Sequence, residues 1–109
     1  MSKYNARKTE IDGIVFDSKK EADYYCELRI RKMARDIKDY QRQVEYILLP
    51  SFKHNKKTYR PIKYLADFVI EHNDGSFEVV DVKGYRTKEY MLKKKLLLHR
   101  FPNIIFSEV

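Results

Sequence analysis

Two acidic residues lie inside apolar, strand-like segments of the sequence. Asp67 is within the run 64–70 and Asp81 is within the run 77–82, and most of their neighbours are Val, Ile, Leu, Ala, Phe or Tyr. An ionised carboxylate in such surroundings is costly to desolvate unless an opposite charge or a bound cation compensates it. Both aspartates therefore require a chemical explanation, and they are the first candidates for a functional site.

The turn between the two segments decides whether the aspartates meet. A two-residue loop would leave them on opposite faces of the sheet, because a shift of one residue reverses every side chain of a strand. A three-residue loop, residues 73–75, ends in a glycine suited to the left-handed conformation of a bulge turn. That loop pairs His72 with Ser76 and sets Asp67 directly against Asp81. We expect the three-residue loop.

Lys83 follows Asp81 by two residues and so belongs to the same face. Adjacent carboxylates raise one pKa or recruit a cation, and hard oxygen ligands suit Mg2+ or Mn2+ better than zinc. The set predicts phosphodiester hydrolysis: the metal polarises the phosphate and acidifies a water, while the lysine orients that water or stabilises negative charge. Asp-x-Lys occurs three times in the chain, however, and a surface ion pair at a strand end is the alternative.

Glu21 is a third acidic candidate with two interpretations. It follows Ser18 by three residues, which is a capping-box signature at the start of a helix. Its carboxylate could therefore close the cap and contact no metal, or it could extend from the first helical turn as a metal ligand.

The periodicity of the remaining sequence predicts the elements that position these residues. Their order is helix, three strands, helix, strand, which predicts an α/β fold: a mixed four-stranded sheet flanked by helices, in a single domain spanning 1–109. Leu65 and Val69 are expected on one face of the central strand, and Ala66, Phe68 and Ile70 on the other. The predicted elements are a hairpin at 11–16, a helix at 19–35, strands at 44–49, 64–71 and 76–83, a helix to residue 100 behind the N-cap Thr87, and a strand at 103–107.

The composition favours a polyanionic partner. Lysine and arginine number 23 against 16 acids, a net charge of +7, which suits nucleic acid or an acidic membrane surface. No apolar run approaches the roughly 20 residues of a membrane span. Cys26 is the single cysteine, so no internal disulfide forms, and the three histidines have no zinc-site spacing. We expect a cytoplasmic protein that does not interact with membranes.

The arrangement of the acids resembles the PD-(D/E)xK nuclease superfamily, whose core also has the order α-β-β-β-α-β and is restriction-endonuclease-like. The runs 12–22, 66–68 and 81–87 are more narrowly similar to a small phage-encoded family of uncharacterised, Holliday-junction-resolvase-like endonucleases. The resemblance covers nearly the whole chain. It departs at Ala66, where the superfamily name expects proline, which is not a metal ligand.

The resemblance implies a role for each position. Asp67 matches the strand acid, Asp81 and Lys83 match the acid-x-lysine unit, and Glu21 matches the helix acid. The main-chain carbonyl of Val82 would complete the shell of Mg2+, for which Mn2+ could substitute. The implied activity is an endodeoxyribonuclease acting on branched or structured DNA in phage recombination or replication, in the bacterial host cytoplasm if the chain is phage-encoded.

Basic residues beside the predicted site are candidates for DNA contacts, although such runs are usually a solvated surface. Residues 53–60 are expected to form an exposed loop or hairpin tip that could also reach a groove. Cleavage of two strands would require a homodimer. A nuclease fold without activity that binds DNA, and a protein that redirects a host enzyme, are the competing hypotheses. The candidate DNA-binding residues are Lys19, Lys20, Arg86, Lys88, Lys94 and Lys95.

Overall fold

A mixed four-stranded sheet with one helix on each face organises the chain, in a computed structural model that describes residues 8–82 and 85–109. The predicted fold class and the order of its core elements are confirmed. In chain order the elements are β1 (Thr9–Ile11), β2 (Ile14–Phe16), α1 (Lys19–Met33), β3 (Asp39–Leu49), β4 (Phe52–His54), β5 (Lys57–Tyr59), β6 (Ile62–Glu71), β7 (Phe77–Asp81), α2 (Lys88–Arg100) and β8 (Ile105–Glu108).

The central sheet has the strand order β3-β6-β7-β8. The first three strands are antiparallel neighbours, and β8 runs parallel to β7 because the chain crosses over through α2. The hairpins β1-β2 and β4-β5 are separate two-stranded sheets. The strand β3 begins five residues earlier than predicted, because Asp39 to Arg42 pair with β6 despite their polar character.

Both helices begin where the sequence predicts. The backbone N–H of Glu21 donates to Ser18 Oγ at 3.1 Å, and that of Tyr90 donates to Thr87 Oγ1 at 3.0 Å, so each hydroxyl satisfies one otherwise unpaired donor. Helix α1 ends at Met33, two residues before the predicted limit. Among the described residues, no helix has the length and apolar character needed to cross a membrane.

The turn between β6 and β7 has the predicted form. His72 N–H donates to Ser76 O at 2.9 Å, and Gly75 has a φ of +88°, in the left-handed region. The register that follows pairs Phe68 with Val80, which aligns Asp67 with Asp81 one position further along. The three-residue loop is therefore confirmed.

The expected distribution of side chains on β6 is confirmed for Val69 opposite Phe68 and Ile70, and it is wrong for Ala66. Phe68 and Ile70 pack with α1, but Ala66 packs with α2, on the same side as Val69, and Leu65 is 51% exposed. Regular strands keep alternate residues on one face, so β6 crosses from one face to the other at Asp67.

The neighbouring strand β3 crosses between the two faces at the same level. In β3, Arg42 lies over the Phe16 ring on the α1 side, whereas Val44 packs on the α2 side. Between them Gln43 has a φ of +53°, a left-handed conformation that breaks the pleat of an otherwise extended strand. Both strands therefore coil at the same level of the sheet.

Candidate functional site

The two aspartates lie where β6 and β7 separate. The main-chain pairing of the two strands ends at Phe68 and Val80. Beyond this pair, the Val82 N–H donates to the side chain of Asp67 and not to a main-chain carbonyl of β6. Asp67 Oδ2 accepts this hydrogen bond at 2.8 Å. This hydrogen bond directs the half-buried carboxylate toward β7. Asp67 is also the residue at which β6 crosses from one face of the sheet to the other.

Asp81 is the most buried acid of the site, with 1% of its surface exposed. It ends β7, lies beside Glu108 of β8 in the parallel register, and its carbonyl accepts the Val109 N–H at 2.9 Å. Its side chain lines an open cleft of about 250 Å³ together with Tyr64 and Tyr90, on the α2 side of the sheet. A carboxylate with both oxygens buried is thus held on the central hairpin, next to a cleft that is open to solvent.

Glu21 approaches the same strand ends from α1, with 7% of its surface exposed. Among the described residues, its carboxylate makes no hydrogen bond to the Ser18 N–H, so only half of the predicted capping box forms. Oε1 lies 3.9 Å from an Arg42 guanidinium nitrogen instead. The side chain that caps the helix is that of Ser18, and the Glu21 carboxylate is directed toward the sheet.

The protonation of Glu21 reflects this position. Burial, followed by the negative charge of Asp67 and then that of Asp17, raises its pKa from 4.5 to about 7. Arg42 opposes this effect, and Asp81 makes a smaller contribution in the raising direction. Carboxylates from α1, β6 and β7 are therefore close enough to influence one another electrostatically.

The donor chemistry of these residues suits a hard divalent cation, which would relieve the repulsion that now raises the pKa of Glu21. Their positions are not those of a formed coordination shell. Within residues 8–82 and 85–109, no three His, Cys, Asp or Glu side chains are close enough to hold a metal ion. The set therefore fits a cation by ligand type and by charge, and side-chain movement would be needed to bind one.

The predicted DNA-binding residues fall into two groups. Lys19 pairs with Asp23 at 2.9 Å, and Arg86 and Lys94 both pair with Glu108. The other three are surface residues that lie outside these pairs: Lys20 is exposed on the first turn of α1, and Lys88 and Lys95 are exposed on α2. Lys83, the predicted catalytic lysine, lies outside the described residues.

Glu108 is a residue that the sequence reasoning did not identify. Its carboxylate accepts hydrogen bonds from Arg86, at 2.8 and 3.2 Å, and from the Tyr90 hydroxyl, and it lies 3.6 Å from Lys94 Nζ. The Arg86 hydrogen bond and then the Tyr90 hydrogen bond lower its pKa from 4.5 to about 2. Glu108 thus fixes three side chains of the α2 region next to Asp81. No local signal marks it, because its partners are 14 to 22 residues away.

Arg42 was also missed, although its alternation with Tyr40 marks it as an inward-facing position of β3. Its guanidinium lies 4.7 Å from the centre of the Phe16 ring, and its Nε is buried without a hydrogen-bond partner among the described residues. Its guanidinium lies 3.9 Å from the Glu21 carboxylate, and its charge opposes the rise in the pKa of Glu21.

Fold and site together define an α/β protein with three carboxylates, two of them buried, at the open end of its central hairpin. A family model described as "Protein of unknown function (DUF1064)" matches residues 1–108, and the chain belongs to this family. Searches of curated proteins and of solved structures found no match. The family description assigns no activity, so the function has to be inferred from the site.

Proposed function

We propose that this protein is a metal-dependent DNA endonuclease, a hydrolase of phosphodiester bonds. The observation that carries the proposal is the approach of Glu21, Asp67 and Asp81 to one another where β6 and β7 separate. Burial and then the charge of Asp67 raise the pKa of Glu21 to about 7 at this place. Buried acids that repel one another are unfavourable for folding, and their presence beside a solvent-accessible cleft favours a functional role.

The carboxylates of Glu21, Asp67 and Asp81 and the main-chain carbonyl of Val82 would hold Mg2+, or Mn2+ in its place. When bound, the cation supplies Lewis-acid polarisation of the scissile phosphate and acidification of water. The Val82 N–H orients Asp67 through its 2.8 Å hydrogen bond. Lys83 is proposed as the group that orients water or stabilises negative charge near the phosphate.

A DNA substrate fits the charge of the molecule. The net charge is +7, and Lys20, Lys88 and Lys95 are exposed on the helices that flank the site. Arg86 and Lys94 are held by Glu108, which fixes their positions before any phosphate approaches. Branched DNA as the preferred substrate, action as a homodimer and a cytoplasmic location are parts of the same proposal and rest on the family resemblance.

The direct test is cleavage of supercoiled, linear and four-way-junction DNA in Mg2+ or Mn2+, with chelator as the negative control. We expect metal-dependent cleavage that Asp81→Asn and Lys83→Ala reduce by at least about a thousandfold, as for loss of a group that acts in the transition state. DNA binding measured in chelator should survive Lys83→Ala with only a small loss.

Asp36→Asn is the matched control, because it removes an exposed aspartate at the opposite end of α1 from Glu21. It should leave cleavage unchanged. Binding without cleavage in any divalent metal would contradict the nuclease proposal and favour a DNA-binding module on the same fold. Absence of both activities would favour a protein that acts on a host enzyme.

A further inference from the structure

The strands β3 and β6 continue beyond the sheet as one basic hairpin. β4 and β5 connect the end of β3 to the start of β6, and together with the flanking prolines they form the basic arm, residues 50–61. Residues 50–60 are all exposed. Among the described elements, β4 and β5 pack extensively only against each other. The basic arm therefore projects from the fold.

The basic arm is a well-formed ribbon despite its exposure. Asn55 and Lys56 form a two-residue turn in which both φ angles are positive, +48° and +65°, which matches the natural twist of a hairpin. The rings of Phe52 and Tyr59 stack across the strands, with centroids 5.0 Å apart and planes within 9°. Ser51 Oγ donates to the Tyr59 carbonyl at 2.9 Å.

The charge of the basic arm has one sign. No acidic residue occurs between Glu45 and Asp67, and the basic arm carries four cations within eight residues, Lys53, Lys56, Lys57 and Arg60. None of the described carboxylates forms an ion pair with any of the four. Lys57 Nζ lies 5.0 Å from the centre of the Tyr59 ring, a cation–π contact in which no described acidic group neutralises the lysine. A polyanion is the chemical partner of such a surface.

The shape and position of the basic arm narrow the choice of polyanion. A two-stranded ribbon fits the major groove of duplex DNA, about 12 Å wide, and does not fit the minor groove of about 6 Å. Eleven residues separate Lys56, at the turn, from Asp67, so at about 3.3 Å per residue the tip lies at most roughly 36 Å from the acids. That limit allows the tip to contact duplex up to about one helical turn, about 34 Å, from the acids.

We propose that the basic arm inserts into the major groove of duplex DNA about one helical turn from the phosphate held at the acidic site. The inference rests on the proposed function, because it takes DNA to be the substrate. It adds that the substrate is duplex on at least one side of the cut. It also adds that the residues that bind this duplex are separate from the residues that perform the chemistry.

The test is a variant that removes the four charges, K53Q/K56N/K57Q/R60Q, with binding measured in chelator on a duplex of about three helical turns. Asn replaces Lys56 because it tolerates the left-handed conformation. Affinity should fall at least about tenfold, and the slope of log K against log salt should become shallower by about two to four, near 0.9 for each lost phosphate contact.

Two control variants separate a specific contact from a general loss of charge. R29Q/K32Q/R35N/K38Q removes four cations from the α1 region and lowers the net charge by the same amount; it should change affinity less than the arm variant. K53R/K56R/K57R keeps the charges and should bind like the wild type.

Dimethyl sulfate interference on the wild-type complex reports guanine N7 in the major groove, and it needs no variant to fold.

A patch of guanines about one turn from the cut at which N7 methylation prevents binding supports the proposal, as does the loss of affinity confined to the arm variant. An unchanged affinity and salt slope in a folded arm variant would overturn it, and so would equal losses on single-stranded DNA of the same length or on anionic lipid vesicles. Wild-type cleavage with no effect of the arm variant would overturn the role of the basic arm alone. Absence of any wild-type DNA binding would overturn both this role and the proposed function.

Discussion

Replacing Glu21 with glutamine should stabilise the metal-free protein at alkaline pH. The pKa of Glu21 is raised from 4.5 to about 7 by burial and then by Asp67. At about 1.36 kcal/mol per pKa unit, the ionised form costs the fold roughly 3 kcal/mol. Glutamine has the same shape and no charge, so Glu21→Gln should recover about 2 to 3 kcal/mol above pH 8, after allowance for the lost attraction to Arg42 at 3.9 Å.

The pH dependence of this effect has a definite sign. Below about pH 4.5 Glu21 is protonated in both the folded and the unfolded state, and the substitution should be nearly neutral. Between about 4.5 and 7 the folded state retains a proton that the unfolded state has lost, so the free energy of unfolding of the wild type falls as pH rises. Above about pH 7 the difference between the two proteins should be constant.

Urea unfolding in chelator at about pH 5 and pH 8.5 measures the difference, and thermal unfolding at the higher pH should show a melting temperature about 10 °C higher in the variant. Mg2+ at saturating concentration should narrow the gap, because a cation would compensate the carboxylates of the wild type. Glu27→Gln on the exposed surface of α1 is the control and should change stability by less than about 0.5 kcal/mol at either pH. A variant less stable than the wild type at pH 8.5, or a difference that does not vary with pH, would refute the reasoning.

Two other substitutions test features that organise the site. Glu108→Gln weakens the hydrogen bonds from Arg86 and Tyr90 and should cost about 1 to 2 kcal/mol at pH 7; because the pKa of Glu108 is lowered to about 2, the urea-measured difference should shrink as pH falls from about 4.5 toward 2. A loss that persists unchanged at pH 2 would show that packing is responsible. Gly75→Ala should destabilise by about 1 kcal/mol, because φ is +88° although a Cβ there would meet nothing within 4 Å. A neutral result in urea unfolding would mean that the loop relaxes.

Much of the fold follows from signals that extend over a few residues. Ser18 and Thr87 start the helices because a hydroxyl at that position accepts a hydrogen bond from an N–H three residues on. The three-residue loop ending in Gly75 set the register of the central hairpin, and with it the alignment of Asp67 and Asp81. These features depend on local conformational preferences, which the sequence expresses directly.

The same hairpin also shows where local reasoning fails. Strict alternation along β6 placed Ala66 on the side of Phe68, whereas the strand crosses between the two faces at Asp67. The crossing accompanies the left-handed Gln43 of the paired strand β3, a residue 24 positions away. Alternation assumes a regular pleat, and the coiling of two paired strands is a property of the pair that neither strand specifies alone.

The sequence by itself therefore determined the order of the elements, the register of the central hairpin and the acidic residues aligned at its open end. Only the tertiary structure decided how these residues are held. The Glu21 carboxylate is directed toward Arg42 and not toward the helix cap, and Glu108 forms an ion pair with Arg86, 22 residues away in the sequence. The physical reason is the distance along the chain over which each kind of interaction acts. Capping and turn formation involve atoms within about four residues, whereas the charge and burial that shift the pKa values of Glu21 and Glu108 come from groups brought together by packing.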